Sequence, residues 1–130
     1  MEKRQTSVFD DIERLEKQAV SLGFQWETAA QIMTQIRSEC LEIEEHLEVT
    51  DKQAALQEEI GDLLHAVFSL CTYCHFDTEL TLQKSLNKFE HRLSAVKAIA
   101  KERGLDNLHG QSFDKLMHYW ELAKQRTLPP

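Results

Sequence analysis

Between Glu39 and Asp62 the chain carries nine acidic residues and a single lysine, Lys52. Most of these acids read as a solvated face, because on a helical wheel Glu44, Glu45 and Glu48 point away from the apolar stripe of their segment. Glu39 and Glu42 differ. They are neighbours on one helical face, and Glu39 borders that stripe. Sixteen residues later the arrangement recurs as Glu59-Ile60-Gly61-Asp62. Asp62 shares its face with Ala66, Leu70 and Tyr73, which puts it at the edge of buried surface. Carboxylates at such a rim repel one another and lose hydration, a costly state unless a cation compensates. Oxygen-only ligands suit a hard ion, Mg²⁺ with Mn²⁺ as a substitute. From the residues alone the four acids admit two readings, a metal site or a surface charge cluster.

A second group carries the opposite sign. Lys84, Lys88 and Arg92 recur every four residues with Asn87 beside them, which by itself describes a solvated basic stripe. Beside an acidic metal site, Lys88 and Arg92 would instead grip phosphate oxygens. Metal on one wall and cations on the other is how proteins handle a polyphosphate. Gly61 adds an ambiguity: glycine inside a helix costs about 1 kcal/mol relative to alanine. Either close helix packing or room for a ligand explains it.

These residues must be positioned by helices. Gly numbers only 4 and Pro only 2, with both prolines at the C-terminal end, so strand-and-turn folds are disfavoured. Helical periodicity and stop signals outline five segments. The first spans about 8–22, with Ser7 as cap and Gly23 as stop. The second starts after the Thr28-x-x-Gln31 capping box and runs to about Val49, with Ile32, Ile36, Cys40, Ile43 and Leu47 on one stripe. The third opens with Thr50-x-x-Gln53 and reaches Tyr73 or Cys74. The fourth covers about 78–103, with Leu82, Leu86, Phe89, Leu93 and Val96 inward and Gly104 as stop. The last, about 113–126, is opened by Ser112. The expected class is an all-α helical bundle, one domain over 1–130 with its core at about 8–126. Leu63 to Tyr73 is apolar almost all round, as in a helix that is central or buried against a second subunit. We expect both, and hence a homodimer.

Bulk properties narrow the function classes. The net charge of −7 argues against a general nucleic-acid footprint. No apolar stretch approaches the roughly 20 residues of a membrane span, and no apolar signal region follows Met1, so the expected location is cytoplasmic. Cys71-Thr72-Tyr73-Cys74 has CxxC spacing with His65 and His75 nearby, but without a second such pair these read as core cysteines rather than as a zinc or redox site. Phe24 and Trp26 lie in the first link and read as a hydrophobic plug, with a base contact as the alternative. Trp120 is open between core packing and a base contact.

Taken together, the motifs resemble the MazG-type nucleoside triphosphate pyrophosphohydrolases. Glu39-x-x-Glu42 followed by Glu59-x-x-Asp62 resembles the ExxE…ExxD metal motif of that family. Gly23-Phe24-Gln25-Trp26 resembles its GFxW entry, and Glu59-Ile60-Gly61-Asp62-Leu63-Leu64 its ELGDLL. Asn87-Lys88-Phe89-Glu90-His91-Arg92 is similar to NKFExR, and Tyr119-Trp120-Glu121-Leu122-Ala123-Lys124 to its closing W-x-x-A-K helix. The resemblance covers about residues 8–126 in order. It implies an all-α enzyme that cleaves an NTP or dNTP to the monophosphate and pyrophosphate, possessing a nucleotide-pool house-cleaning role and a dimeric or tetrameric assembly. Carried over residue by residue, Glu39, Glu42, Glu59 and Asp62 would be metal ligands and catalytic residues; apart from the resemblance, any one of the four carboxylates could act as base toward water, and Glu42 is our choice. Asn87, Lys88 and Arg92 would hold the phosphates, and Trp120 would line or stack on the base.

Two departures stand out. Ser38 precedes Glu39 where many relatives have a further acid, so activity is expected to be kept while metal affinity differs. His65 stands where relatives have Phe and reads as a core histidine with a satisfied partner. Two-domain relatives carry this unit twice, some copies being regulatory; here one copy has its acids intact, which favours catalysis. Two other classes compete. A ferritin-type di-metal bundle needs Glu-x-x-His pairs, and the acidic helices offer only Asp62-x-x-His65. A non-catalytic nucleotide-binding or dimerisation module would bind nucleotide without turnover.

Overall fold

Local side-chain chemistry marks the helix starts in a computed structural model that describes residues 7–49, 51 and 53–129. Helix α1, Val8–Leu22, opens on a reciprocal box. The Ser7 hydroxyl accepts from the Asp10 amide, and the Asp10 carboxylate accepts from the Ser7 amide, both at 3.2 Å. It closes on Gly23, whose φ of 89° is the left-handed conformation that frees the Phe24 amide to reach the Ala19 carbonyl at 2.9 Å. Helix α2, Ala29–Leu47, opens on the expected Thr28–Gln31 box. Helix α3 is Gln53–Tyr73; the cap expected of Thr50 lies outside the described residues. Helix α4, Thr78–Glu102, starts where Asp77 Oδ2 accepts from the Leu80 amide at 2.7 Å. It stops before Gly104, at φ 75°. Helix α5, Phe113–Arg126, is capped by Ser112 as expected.

No strand occurs among the described residues, so the fold is all-α with the five expected helices. None of these helices is long and apolar enough to cross a membrane. The chain divides into two compact units after Thr81, a boundary that falls in the first turn of α4.

In the first unit α2 and α3 pack as a hairpin and α1 lies on α3. Helix α3 is therefore the central helix of the unit, as its all-round apolar composition suggested. Ile32 and Ala66 are buried there, and the Phe9 and Phe68 rings meet edge-on at 5.8 Å. Polar contacts fasten the same faces. Ser69 Oγ donates to Glu16 Oε1 at 2.6 Å, and the Tyr73 hydroxyl donates to the Glu27 carbonyl at 3.1 Å.

The second unit is built on Ile99, Tyr119 and Ala123, with Ala95, Val96, Leu105, Leu108 and Leu122 packed around them. The Arg103 guanidinium lies over the Tyr119 ring at 5.2 Å, and Arg126 forks onto both oxygens of Glu102 at 2.8 and 2.6 Å.

Several expectations change. Of the α4 stripe only Val96 joins a core; Leu82, Leu86, Phe89 and Leu93 keep 37–52% of their surface exposed in the single chain. Periodicity identifies an apolar face but not what covers it. Phe24, 80% exposed, plugs nothing. Cys74 is exposed and Cys71 and Cys40 are half-buried, so the core reading fails for Cys74. His65 is no core residue: its side chain is largely exposed, with Nε2 lying 3.2 Å from Glu16 Oε1. A long polar side chain reaching across from α1 satisfies it at the surface.

Candidate metal and nucleotide site

The acidic residues stand on the two arms of the α2–α3 hairpin. Glu39 is buried in α2, on the face that also buries Ile32 two turns earlier. Glu42 lies one turn on and is exposed, and Asp62 of α3 is exposed as well. Gln35 donates from Nε2 to Glu39 Oε1 at 2.8 Å. The other oxygen, Glu39 Oε2, is buried and has no hydrogen-bond partner.

Burial raises the Glu39 pKa above its ordinary value, and the charges of Glu42 and then Asp62, with the close approach of the Glu42 carboxyl, raise it further against the opposing hydrogen bond from Gln35. Glu39 thus feels the charges of two of the other three expected ligands. The shift sets Glu42 and Asp62 near Glu39 on the hairpin.

Glu59 is held differently. Its Oε2 contacts His46 Nδ1 in the last turn of α2, and both side chains are mostly buried, at 15% and 23% exposure. Spacing analysis missed His46. Its signal was present, since folding the sequence back about the short α2–α3 connection sets position 46 opposite position 59.

No three His, Cys, Asp or Glu side chains among the described residues are gathered closely enough to hold a metal ion as they stand. The donor set nevertheless fits a hard cation. A buried carboxylate oxygen without a partner, flanked by two further carboxylates, is what Mg²⁺ or Mn²⁺ would satisfy. Gly61 lies on the same helix, and a Cβ built there meets nothing within 4 Å. Close helix packing therefore does not explain this glycine within the chain, and open space remains.

The basic and aromatic candidates belong to the second unit. Arg92 places its guanidinium 5.7 Å from the Trp120 ring centroid, and Trp120 leans against Phe89 with centroids 5.8 Å apart. Arg92 Nε is buried without a hydrogen-bond partner. Lys88 is exposed and forms no ion pair among the described residues. Asn87 Oδ1 accepts from Gln83 Nε2 at 2.9 Å. An arginine resting on an aromatic face is a group suited to an anion through its guanidinium nitrogens.

Residues 27–97 match the family described as the MazG nucleotide pyrophosphohydrolase domain. The chain belongs to this family. The match spans the α2–α3 hairpin and all four acids, together with Asn87, Lys88 and Arg92, so the metal motif and the basic stripe both lie inside the MazG domain. Curated relatives agree. A protein of Escherichia coli (strain K12) named nucleoside triphosphate pyrophosphohydrolase is 32% identical over 139 aligned positions, covering 98% of this chain and 52% of the relative. A Thermotoga maritima protein named nucleoside triphosphate pyrophosphohydrolase/pyrophosphatase MazG is 31% identical over 111 positions, covering 85% of this chain and 42% of that relative. The chain spans about half the length of the curated relatives it matches.

Proposed function

We propose that this chain is a Mg²⁺-dependent nucleoside triphosphate pyrophosphohydrolase, cleaving the α–β phosphoanhydride of an NTP or dNTP to give the monophosphate and pyrophosphate. The observation that carries the proposal is the buried, unpartnered Glu39 oxygen set between the charges of Glu42 and Asp62. A fold does not keep such a carboxylate for stability; a divalent cation makes sense of it. Membership of the MazG family, and the pyrophosphohydrolase names of its relatives, support the reaction class.

In this reading Glu39, Glu42, Glu59 and Asp62 hold the metal. When bound, Mg²⁺ supplies neutralisation of the triphosphate and a water of lowered pKa. Lys88 and Arg92, with Asn87 beside them, bind phosphate oxygens and orient the chain for in-line attack. A carboxylate oxygen of Glu42, which is exposed where Glu39 is not, accepts the proton of the attacking water. Trp120 presents its ring to the base and also holds Arg92 in place.

The working form in this proposal is a homodimer or homotetramer in the cytoplasm. The half-exposed apolar residues of α4, Leu82, Leu86, Phe89 and Leu93, would be covered by a second copy. Light scattering on the purified protein tests that assembly.

Pyrophosphate release from a panel of NTPs and dNTPs, in Mg²⁺ and in EDTA, tests the reaction. Metal-dependent release of pyrophosphate rather than orthophosphate, falling at least about a hundredfold in Glu59→Ala, is the expected result. Tight nucleotide binding with no turnover at saturating Mg²⁺ would leave a nucleotide-sensing module instead.

A further inference from the structure

We infer that His46 is a positioning residue for the metal site, its Nδ1–H fixing the Glu59 carboxylate in a ligating pose before any cation arrives. The inference rests on the proposed metal-binding role of Glu59.

Glu59 is the one acid of the four whose contact is with an imidazole; Glu39 has a neutral amide. A glutamate side chain without a partner samples many rotamers, and ordering it costs conformational entropy. The contact with His46 takes up Oε2 and leaves Oε1 without a hydrogen bond among the described residues. One oxygen is thus anchored to the opposite helix while its twin stays available to a cation. The two side chains come from opposite arms of the hairpin, thirteen residues apart, so the anchor forms only when α2 and α3 are packed. It ties the geometry of the fourth ligand to the arm that carries Glu39 and Glu42. A donor behind a ligating carboxylate typically changes metal affinity by about 10–100-fold when removed.

The chain provides its own control. His65 and Glu16 form a second His–Glu contact, with Nε2 engaged, on a largely exposed histidine and outside the four acids. A general role for such pairs in holding helices together would apply equally to both.

The test is Mn²⁺ affinity without nucleotide, read by electron paramagnetic resonance of free Mn²⁺, with thermal melting recorded on the same samples. His46→Ala should weaken Mn²⁺ binding by about tenfold. His46→Asn, whose amide nitrogen occupies nearly the Nδ1 position, should restore it to within about threefold. His65→Ala should leave it unchanged. Should His46→Ala not fold, His46→Gln replaces it, because its amide reaches beyond the Nδ1 position. Unaltered Mn²⁺ affinity in the His46 variant, whatever its melting temperature, overturns the inference and leaves a helix clasp. Equal losses in the Ala and Asn variants also overturn it, since the donated hydrogen bond is then not what matters. Glu59→Gln separates the two levels of argument: if it binds Mn²⁺ like wild type, the metal reading of Glu59 itself fails.

Discussion

The carboxylate hairpin of the first unit and the small core of the second are built on opposite principles. Around Ile99, Tyr119 and Ala123 the chain buries apolar side chains and finishes the edge with a two-pronged Arg126–Glu102 pair. There the Arg126 hydrogen bond lowers the Glu102 pKa, as in an ordinary satisfied ion pair. On the hairpin the chain buries Glu39 with an oxygen unpartnered and sets two like charges beside it. One region is arranged for its own stability, whereas the other sets like charges beside a buried carboxylate, an arrangement that a proton or a bound cation would relieve. Local rules that hold in one part of a molecule and fail in another mark where function overrides stability.

The largest stability effect that would sharpen this contrast lies in the apolar core. Ile99→Ala should cost about 2–4 kcal/mol in urea unfolding, since Ile99 is 1% exposed and its loss leaves a cavity. Metal affinity per folded molecule should not change. A parallel loss of Mn²⁺ binding would break the separation between the two regions.

Glu39→Gln should act with the opposite sign in the metal-free protein. A folded-state pKa raised by burial means that stability is full below the unfolded value and declines as pH rises through the raised one. Above that window the variant should melt a few degrees higher than wild type in EDTA. Adding Mg²⁺ should stabilise wild type and leave the variant unmoved. A variant that melts lower than wild type at neutral pH in EDTA would show that burial of this carboxylate is compensated within the chain.

Gly61→Ala is a smaller change. With nothing within 4 Å of the added Cβ, helix propensity alone predicts about 1 kcal/mol of stabilisation, read as a higher urea midpoint. If pyrophosphate release falls while stability rises, the open space at Gly61 serves substrate or a second subunit. The smallest effect belongs to Arg126→Ala. Its partner is an exposed carboxylate, and exposed pairs contribute little because solvent already stabilises both charges. A melt indistinguishable from wild type is expected; a large fall would mean that this surface pair carries the second unit.

Much of the framework was legible in sequence because its signals are local. The first, second and fifth helices start within a residue of their expected caps, Ser7, Thr28 and Ser112, because hydroxyl-to-amide capping acts over three residues. Glu39 was placed at a core edge from its helical phase and is buried. Asp77, which was not among the expected caps, starts α4 through an equally local signal, a side-chain oxygen accepting from the amide three residues on.

The sequence by itself determined where the helices run, which faces are apolar, which acids pair on neighbouring turns and to which family the chain belongs. It could do so because helical periodicity, capping and motif spacing act between residues close along the chain. Only the tertiary structure decided that Glu39 keeps an unpartnered oxygen, that His46 meets Glu59, and that Glu16 reaches Ser69 and His65. It also decided that the α4 stripe stays half-exposed in a single chain. These outcomes depend on which helices pack together and at what register, and packing joins residues whose separation in sequence carries no local signature of their meeting.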